Sequence, residues 1–332
     1  MMASTPFHGT RRQTVSSVRP GHSGSGDGAS GAAAAGGAAL AGRVTVHKVV
    51  GDYSWERAVG RDVFSATIDE YQTAPKNLTL RFFDFIRTFP LRWARHIIVP
   101  SQYLKRIVSG WGIPAEKIRV IYNAAAPAPE ADRELKPLPE WKGRTLLTVC
   151  RLVPWKCVDA IIRRLPHLPG TRLVIAGGGI LEEELTALAL TLGVRDRTVF
   201  LGHIPSAEVR QRMRGVDAFV LNSTYEGLPH VVLEAMAGKV PVIATNAGGT
   251  GEVVENEATG LLIPVGDEAA LQSAIERLWS DPELAQRLTA TATQRLSAHF
   301  DFTAMVNATA DTLRAAVAPA RNPSKLTPEE AR

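Results

Sequence analysis

Cysteine is scarce in this sequence, whose 332 residues contain only Cys150 and Cys157. Two thiols at this spacing match neither a zinc site nor a disulfide framework. The scarcity excludes a small, disulfide-stapled secreted domain and predicts a reducing, cytoplasmic location.

Long apolar runs are also missing. No stretch approaches the roughly 18 residues that a membrane-spanning helix needs. Glycine and serine interrupt the start of the chain too often for the apolar core of a signal peptide. We therefore expect neither a membrane span nor a cleaved leader, and a peripheral contact at the inner face of the membrane stays open.

Excess charge is small as well. The 38 lysines and arginines outnumber the 33 acidic residues by five, and the pI is about 9.3. This surplus is too weak for a nucleic-acid-binding protein, so we expect no nucleic-acid partner. It suits an anionic small ligand or an anionic membrane surface.

The composition along the chain predicts two domains, for which the length is sufficient. The segments are a disordered Gly/Ser/Ala-rich leader (1–42), a first α/β domain (43–125), a proline-rich linker (126–142), a second α/β domain (143–300), a helix that crosses back onto the first domain (301–322) and a loose tail (323–332).

Short apolar runs alternate with amphipathic stretches from residue 144 to 299, which predicts a doubly wound parallel sheet with right-handed crossovers. In the first domain, strands are predicted at 44–50, 96–101 and 118–123. A helical stretch is predicted at 53–72, and a second segment, 79–95, is predicted to break at Pro90. Ser101 is the predicted N-cap of the helix that follows it.

The stretch LNSTYEGLPHVVLE, 221–234, is the strongest candidate site. It places a strand end, a polar loop with Glu226, and a helix that carries Glu234 at one edge of a parallel sheet, where α/β proteins bind ligands. The amides of Gly227 and Leu228 are candidates to receive an anion. The two carboxylates suit the hydroxyls of a sugar. This pattern predicts a ligand with both phosphate and sugar groups.

Four blocks resemble the retaining glycosyltransferases of family 4, the glycogen-synthase-like group. They are SQYLKRIVSGWGIPAEKIRVIYNA (101–124), CRLVPWK (150–156), YEGLPHVVLEAMAGKVPVIAT (225–245) and NAGGTGEVVENEATGLLIPVGD (246–267). The resemblance implies a GT-B fold, with two Rossmann-type domains facing across a cleft, and transfer of a sugar from a nucleotide-sugar to a saccharide or lipid-linked acceptor with retention of configuration.

The resemblance also implies roles for individual residues. Arg151 and Lys156 match the pair that contacts the donor diphosphate, whose developing charge fixed cations stabilise without a metal ion. Glu226 matches the glutamate that faces the donor sugar at the reaction centre, and Glu234 the one that binds the ribose. No cofactor beyond the donor is expected.

Further donor contacts are implied by the glycine loop Gly248, Gly249 and Thr250, whose amides are also candidates for the sugar or the phosphates. A purely structural role for these glycines stays open beside that one. His203 falls where the family has its nucleobase pocket, and a plain surface histidine is an equal alternative. Both cysteines stand where the family's arginine–lysine block has glycines.

The first domain departs from the family, because the family's opening strand and glycine-rich loop have no counterpart here. We therefore predict an acceptor domain truncated at its N-terminus. Asp52 and Glu56 are candidates for acceptor contacts, although ordinary loop and helix roles are favoured for both. The alternative function is a non-catalytic, degenerate remnant that binds nucleotide-sugars.

Two other patterns have competing interpretations. The turn GGGILEEE, 177–184, suggests a dinucleotide site, but Glu182 stands in place of the third glycine and no acidic residue ends the next strand, which weakens an NAD-linked function. The segment 80–96 interleaves Phe82, Phe83, Phe85, Ile86 and Phe89 with Arg81, Arg87, Arg92 and Arg95. A membrane-surface role is possible for this stripe, and burial in the core is favoured.

Overall fold

The computed structural model describes residues 44–125, 135 and 137–318. The predicted disordered leader, the loose tail and most of the predicted linker lie outside the described residues. Within them, no helix combines the length and the apolar content needed to cross a bilayer.

The first unit is a three-stranded parallel sheet in the order β1-β2-β3, joined by four helices. Its elements are β1 (Val46–Lys48), α1 (Tyr53–Val59), α2 (Ile68–Thr73), α3 (Leu78–Arg92), β2 (His96–Val99), α4 (Gln102–Ser109) and β3 (Ile118–Val120). Ser101 caps α4 as predicted, since its side chain accepts the Leu104 amide.

The second unit is a six-stranded parallel sheet in the order β6-β5-β4-β7-β8-β9. Its elements are β4 (Arg144–Val149), α5 (Val158–Arg164), β5 (Thr171–Ala176), α6 (Glu182–Thr191), β6 (Thr198–Gly202), α7 (Ser206–Met213), β7 (Ala218–Leu221), α8 (His230–Ala237), β8 (Val242–Thr245), α9 (Thr250–Val253), β9 (Leu261–Ile263), α10 (Glu268–Ser280), α11 (Pro282–His299) and α12 (Phe302–Val317). The predicted doubly wound sheet is confirmed, and its strand order is that of a Rossmann domain.

Every strand of the second unit coincides with a short apolar run, which confirms the alternation predicted for residues 144–299. Strands β7 and β8 are buried along their whole length, which explains why they lack polar alternation. The switch in strand order lies between β4 and β7, and their carboxyl ends open a crevice there.

Two predictions for the first unit are wrong. The helical stretch predicted at 53–72 is two helices, because α1 ends at Gly60 and Thr67 starts α2 with a capping box. The predicted break at Pro90 does not occur, since α3 continues to Arg92. Pro90 is buried near the end of α3, where packing compensates for the lost backbone hydrogen bond.

The favoured burial of the stripe at 80–96 is also wrong for most of its aromatic residues. Phe83 is buried, but Phe82, Phe85 and Phe89 are exposed to 58%, 57% and 38%. Helix α3 therefore has apolar side chains on two faces, and the first-domain core covers only one of them.

Candidate active site

The candidate site lies at the carboxyl ends of three adjacent strands. Arg151 and Lys156 follow β4, Glu226 follows β7, and the loop Gly248–Thr250 follows β8. Parallel pairing brings these strand ends to one edge of the sheet. The fold thus collects residues that are up to a hundred positions apart in the sequence.

A buried ion pair forms the centre of the site. Lys156 Nζ donates to Glu226 Oε1 over 2.5 Å, and the two side chains are 13% and 10% exposed. The hydroxyl of Ser223 donates to the same oxygen over 2.6 Å. The pair joins the loop after β4 to the loop after β7, so the ammonium and the carboxylate are fixed on both sides of the crevice.

The glycine loop packs directly on the backbone beside Glu226. The amide of Gly249 donates to the Glu226 carbonyl over 2.8 Å. A Cβ atom on Gly248 would lie 2.1 Å from that carbonyl oxygen, and one on Gly249 would lie 2.1 Å from the Gly227 carbonyl oxygen. The structural role that the sequence left open for these glycines is therefore present. Beside them, the buried hydroxyl of Thr250 has no hydrogen-bond partner among the described residues.

The loop before α8 offers unused donors. Within the described residues, no hydrogen bond uses the amides of Gly227 and Leu228. The carbonyl of Gly227 is engaged instead, because it accepts the Ser101 hydroxyl of the first domain over 2.6 Å. Leu228 is buried in the core of the second domain. The loop before α8 is thus tied to the first domain through Gly227, while its two amides have no partner among the described residues.

Arg151 bridges the two domains. Its Nη2 lies 3.1 Å from Glu56 Oε2 of α1, and the Arg151 side chain is 64% exposed. Burial raises the pKa of Glu56, and the nearby charges of Arg151 and Lys156 oppose that rise. Glu56 therefore lies at the domain seam, within reach of the site, as an acceptor-side residue would.

Asp52 has the ordinary helix role that the sequence favoured. It is fully buried, caps α1 through the amides of Ser54 and Trp55, and accepts two hydrogen bonds from Arg87. Its second oxygen also accepts the side-chain amide of Gln72. The Asp52 carboxylate thus joins α1, α2 and α3 and has no surface left for a ligand.

Two predicted donor residues lie further out. Glu234 on α8 is paired with Arg210 of α7, with 3.2 Å between Oε1 and Nη1. Burial raises the pKa of Glu234, and Arg210 counteracts this. His203 is exposed just after the outermost strand β6, two strands away from β4.

The turn at 177–179 has a packing role. A Cβ atom on Gly177 would lie 1.8 Å from the Cys150 carbonyl oxygen, and one on Gly179 would lie 2.3 Å from that of Leu152. These glycines let the loop that carries Arg151 lie flat on the neighbouring strand end. Their presence is explained without a dinucleotide.

The thiols of both cysteines are weakly acidic in this setting. Burial raises the pKa of the Cys150 and Cys157 thiols to about 11. Cys157 adopts φ +44°, the left-handed conformation, which fits the glycine expected at this position.

Sequence reasoning assigned no role to Glu252, which joins the two domains. Glu252, in the first turn of α9, accepts the amides of Gln102 and Tyr103 over 2.8 and 2.7 Å and the Tyr122 hydroxyl over 3.0 Å. It therefore caps α4 from the other domain. The glutamate is plain in the sequence, but only the fold places it opposite a helix start.

Aromatic packing forms the rest of the seam. Trp55 of α1 lies 5.4 Å from Trp155 and 5.1 Å from Tyr225, measured between ring centroids. Trp155 precedes Lys156, and Tyr225 precedes Glu226, so each motif supplies one ring. The sequence signal for this contact was the aromatic residue that directly precedes each of the two charged motif residues.

Two family models match the chain. The model for glycosyl transferases group 1 matches residues 132–295, and the model for glycosyltransferase family 4 matches residues 28–128. The chain belongs to glycosyltransferase family 4. Together the two models span the first unit and the strand ends that carry the candidate site.

Individual relatives agree with this assignment. Glycogen synthase from Mycobacterium tuberculosis is 38% identical over 187 residues, which cover 55% of this chain and 45% of that protein. The lipopolysaccharide core biosynthesis glycosyltransferase LpsD from Rhizobium meliloti is 32% identical over 214 residues, which cover 64% of this chain and 61% of that protein. The chain spans about half the length of the curated relatives that it matches.

The fold is GT-B. The crystal structure of Anabaena HepE in complex with UDP and glucose superposes with a TM-score of 0.70 at 24% identity, covering 86% of this chain and 76% of HepE. A sucrose-phosphate synthase from Thermosynechococcus elongatus superposes with a TM-score of 0.66 at 23% identity, covering 84% of this chain and 75% of that one. The predicted pair of Rossmann-type domains is thus confirmed.

Proposed function

We propose that this family 4 member transfers a sugar from a nucleotide-sugar donor to a saccharide or lipid-linked acceptor, with retention of configuration. The observation that carries the proposal is the buried Lys156–Glu226 pair at the switch between β4 and β7. It places a cation for phosphate and a carboxylate for sugar hydroxyls side by side, at the crevice where this fold class binds its ligands.

The donor diphosphate would lie against Arg151, Lys156 and the amides of Gly227 and Leu228. When the bond from the sugar C1 to the phosphate oxygen breaks, the electron pair leaves with the diphosphate. Two fixed cations stabilise that charge, so the proposal gives a metal ion no role. The acceptor oxygen forms its bond to C1 on the same face, and its proton passes to the departing phosphate.

The remaining predicted residues orient the donor. Glu226 would accept a sugar hydroxyl beside C1, and Glu234 would accept the ribose hydroxyls, while the Thr250 hydroxyl and the Gly248–Gly249 loop supply further contacts. His203 is the candidate for the base. UDP in HepE, a protein of the same fold, supports a nucleoside diphosphate as the leaving group.

The first experiment is calorimetric titration of the purified chain with UDP, GDP and ADP. We expect one nucleotide to bind, and we expect Lys156→Ala and Glu234→Ala to abolish or strongly weaken that binding. Lys142→Ala is the matched control, because Lys142 is an exposed lysine just before β4. If a folded chain binds none of the three, the proposal fails.

Turnover separates the proposal from the non-catalytic alternative. The nucleotide that binds identifies the sugar donors to test, and release of that nucleoside diphosphate in the presence of an acceptor measures transfer. Binding without release of product across a panel of saccharide and lipid-linked acceptors would support the degenerate remnant instead.

A further inference from the structure

Helix α3 presents an unexpected apolar face to solvent. Its other face packs into the first-domain core through Leu80, Phe83 and Leu91. The exposed face carries Leu78, Phe82, Phe85, Phe89 and Trp93, whose exposed fractions are 85%, 58%, 57%, 38% and 64%. Burial in the first-domain core therefore explains only one of the two apolar faces of this helix.

These five residues form one continuous stripe. They follow each other at steps of four, three, four and four positions, which keeps them on one side of a helix. The stripe is roughly 22 Å long at the helical rise of 1.5 Å per residue. The rings of Phe85 and Phe89 lie 5.2 Å apart. Single exposed apolar residues are normal on a protein surface, but contiguous patches mark interaction sites.

Positive charge borders the stripe. A groove of about 490 Å³ beside it is lined by Phe85 and Phe89 together with Arg81 and Arg92. The acid in this groove, Asp84, is already paired with Lys76 and Arg87. Within the part of the chain that the structure describes, neither Arg81 nor Arg92 forms a salt bridge. The face is thus both aromatic and cationic.

The positive charge of this face argues against two possible binding partners. A second copy of the chain docked through this face would bring the unpaired arginines of both copies together, and the acid in the groove, Asp84, is already paired. Residues 1–43 contain four arginines and one aspartate, so they carry the same sign. An anionic occupant complements the face, and a convex helix with phenylalanine and tryptophan matches the headgroup region of a bilayer.

We propose that the outer face of α3 binds the surface of an anionic lipid bilayer. The aromatic side chains enter the boundary between headgroups and acyl chains, and Arg81 and Arg92 contact lipid phosphates. This surface lies outside the candidate active site, so the inference does not depend on the proposed glycosyl transfer.

The test is flotation of the full chain with phosphatidylcholine vesicles, with and without about one-third phosphatidylglycerol. We expect binding to the anionic vesicles only, weakened by salt. Because each arginine near such a surface is worth ~1 kcal/mol, Arg81→Gln with Arg92→Gln should weaken binding roughly 30-fold. Phe82→Ser with Phe85→Ser and Trp93→Ser should abolish it.

The matched control replaces an exposed leucine and an exposed arginine elsewhere, Leu190→Ser with Arg314→Gln. This variant should bind like the unchanged chain. All variants alter exposed side chains, so their thermal unfolding should be unchanged, and nucleotide titration reports separately on the active site.

Three outcomes would overturn the proposal. The first is no flotation with anionic vesicles, and the second is equal flotation of the control and the aromatic variant. The third is a dimer in light scattering that the aromatic variant converts to a monomer, since a second copy would then be the occupant.

Discussion

The Lys156–Glu226 pair predicts an unusual result for Glu226→Gln: weaker folding and tighter nucleotide binding in the same variant. The ammonium of Lys156 is 13% exposed and lies 2.5 Å from the carboxylate. A phosphate that binds Lys156 must share or replace this partner. Glutamine keeps the shape and can still accept the Ser223 hydroxyl, but it removes the competing charge.

The magnitudes follow from the burial. A hydrogen bond to a charged group contributes about 1.5–3 kcal/mol, so the variant should lose about 2 kcal/mol in the free energy of unfolding. If the second domain unfolds as a unit, its melting temperature falls by roughly 4–8 °C. If half of the lost interaction, about 1 kcal/mol, is returned to the diphosphate, nucleotide binding should tighten about fivefold. Turnover should be lost, because the proposed function uses this carboxylate to hold the donor sugar.

Calorimetry, thermal unfolding and product release measure the three effects. Glu183→Gln, an exposed glutamate on α6, is the control and should change none of them. A fall in nucleotide affinity as large as that of Lys156→Ala would refute the reasoning, because Glu226 would then support the diphosphate site rather than compete with it.

Three further predictions concern stability. Cys157→Gly should raise the free energy of unfolding by about 1 kcal/mol, because φ +44° strains a cysteine but not a glycine. Cys157→Ala keeps the strain and should give no such gain. Glu252→Ala should lower the free energy of unfolding by about 3 kcal/mol, because it removes three hydrogen bonds between the domains. Glu252→Gln should lose less of this free energy, since its side-chain oxygen still accepts hydrogen bonds. Equal losses in the two variants would contradict this explanation. Burial raises the pKa of Glu56 above 4.5, so the folded state binds this proton more tightly than the unfolded state, and stability should fall as the pH rises from 4.5 through the raised pKa. Glu56→Gln should flatten that fall in denaturant titrations at several pH values, and an unchanged pH profile would exclude Glu56 as its source.

The second domain could be predicted well because its signals are local. Each strand is a short, mostly apolar run of three to six residues, and amphipathic helical stretches separate the strands, so the alternation alone gives the doubly wound sheet. The motif residues follow strand ends, and parallel pairing then brings Lys156 and Glu226 together. Nothing in the sequence alone gives their ion pair, because the distance depends on the packing of two separate loops.

The first domain was harder because its local signals conflict. Thr67 starts a helix with a capping box, yet the polar pattern of residues 53–72 predicts one continuous helix across it. Pro90 is a strong breaker, but buried packing at the end of α3 overrides it. The stripe on α3 has the spacing of a core helix on both faces, and periodicity cannot tell which face the rest of the domain covers.

Glu252 connects the proposed donor loop with the contact between the two domains. Glu252 lies in α9, three residues after Gly249 of the loop proposed to contact the donor, and its carboxylate accepts the first amides of α4 in the other domain. Under the proposed function, the same short segment would contact the ligand and also hold the first domain in place. Coupling between ligand binding and domain packing acts equally in both directions. A ligand that orders this loop should therefore also stabilise the contact between the two domains. A covalent crosslink between the two domains should in turn increase the affinity for the ligand.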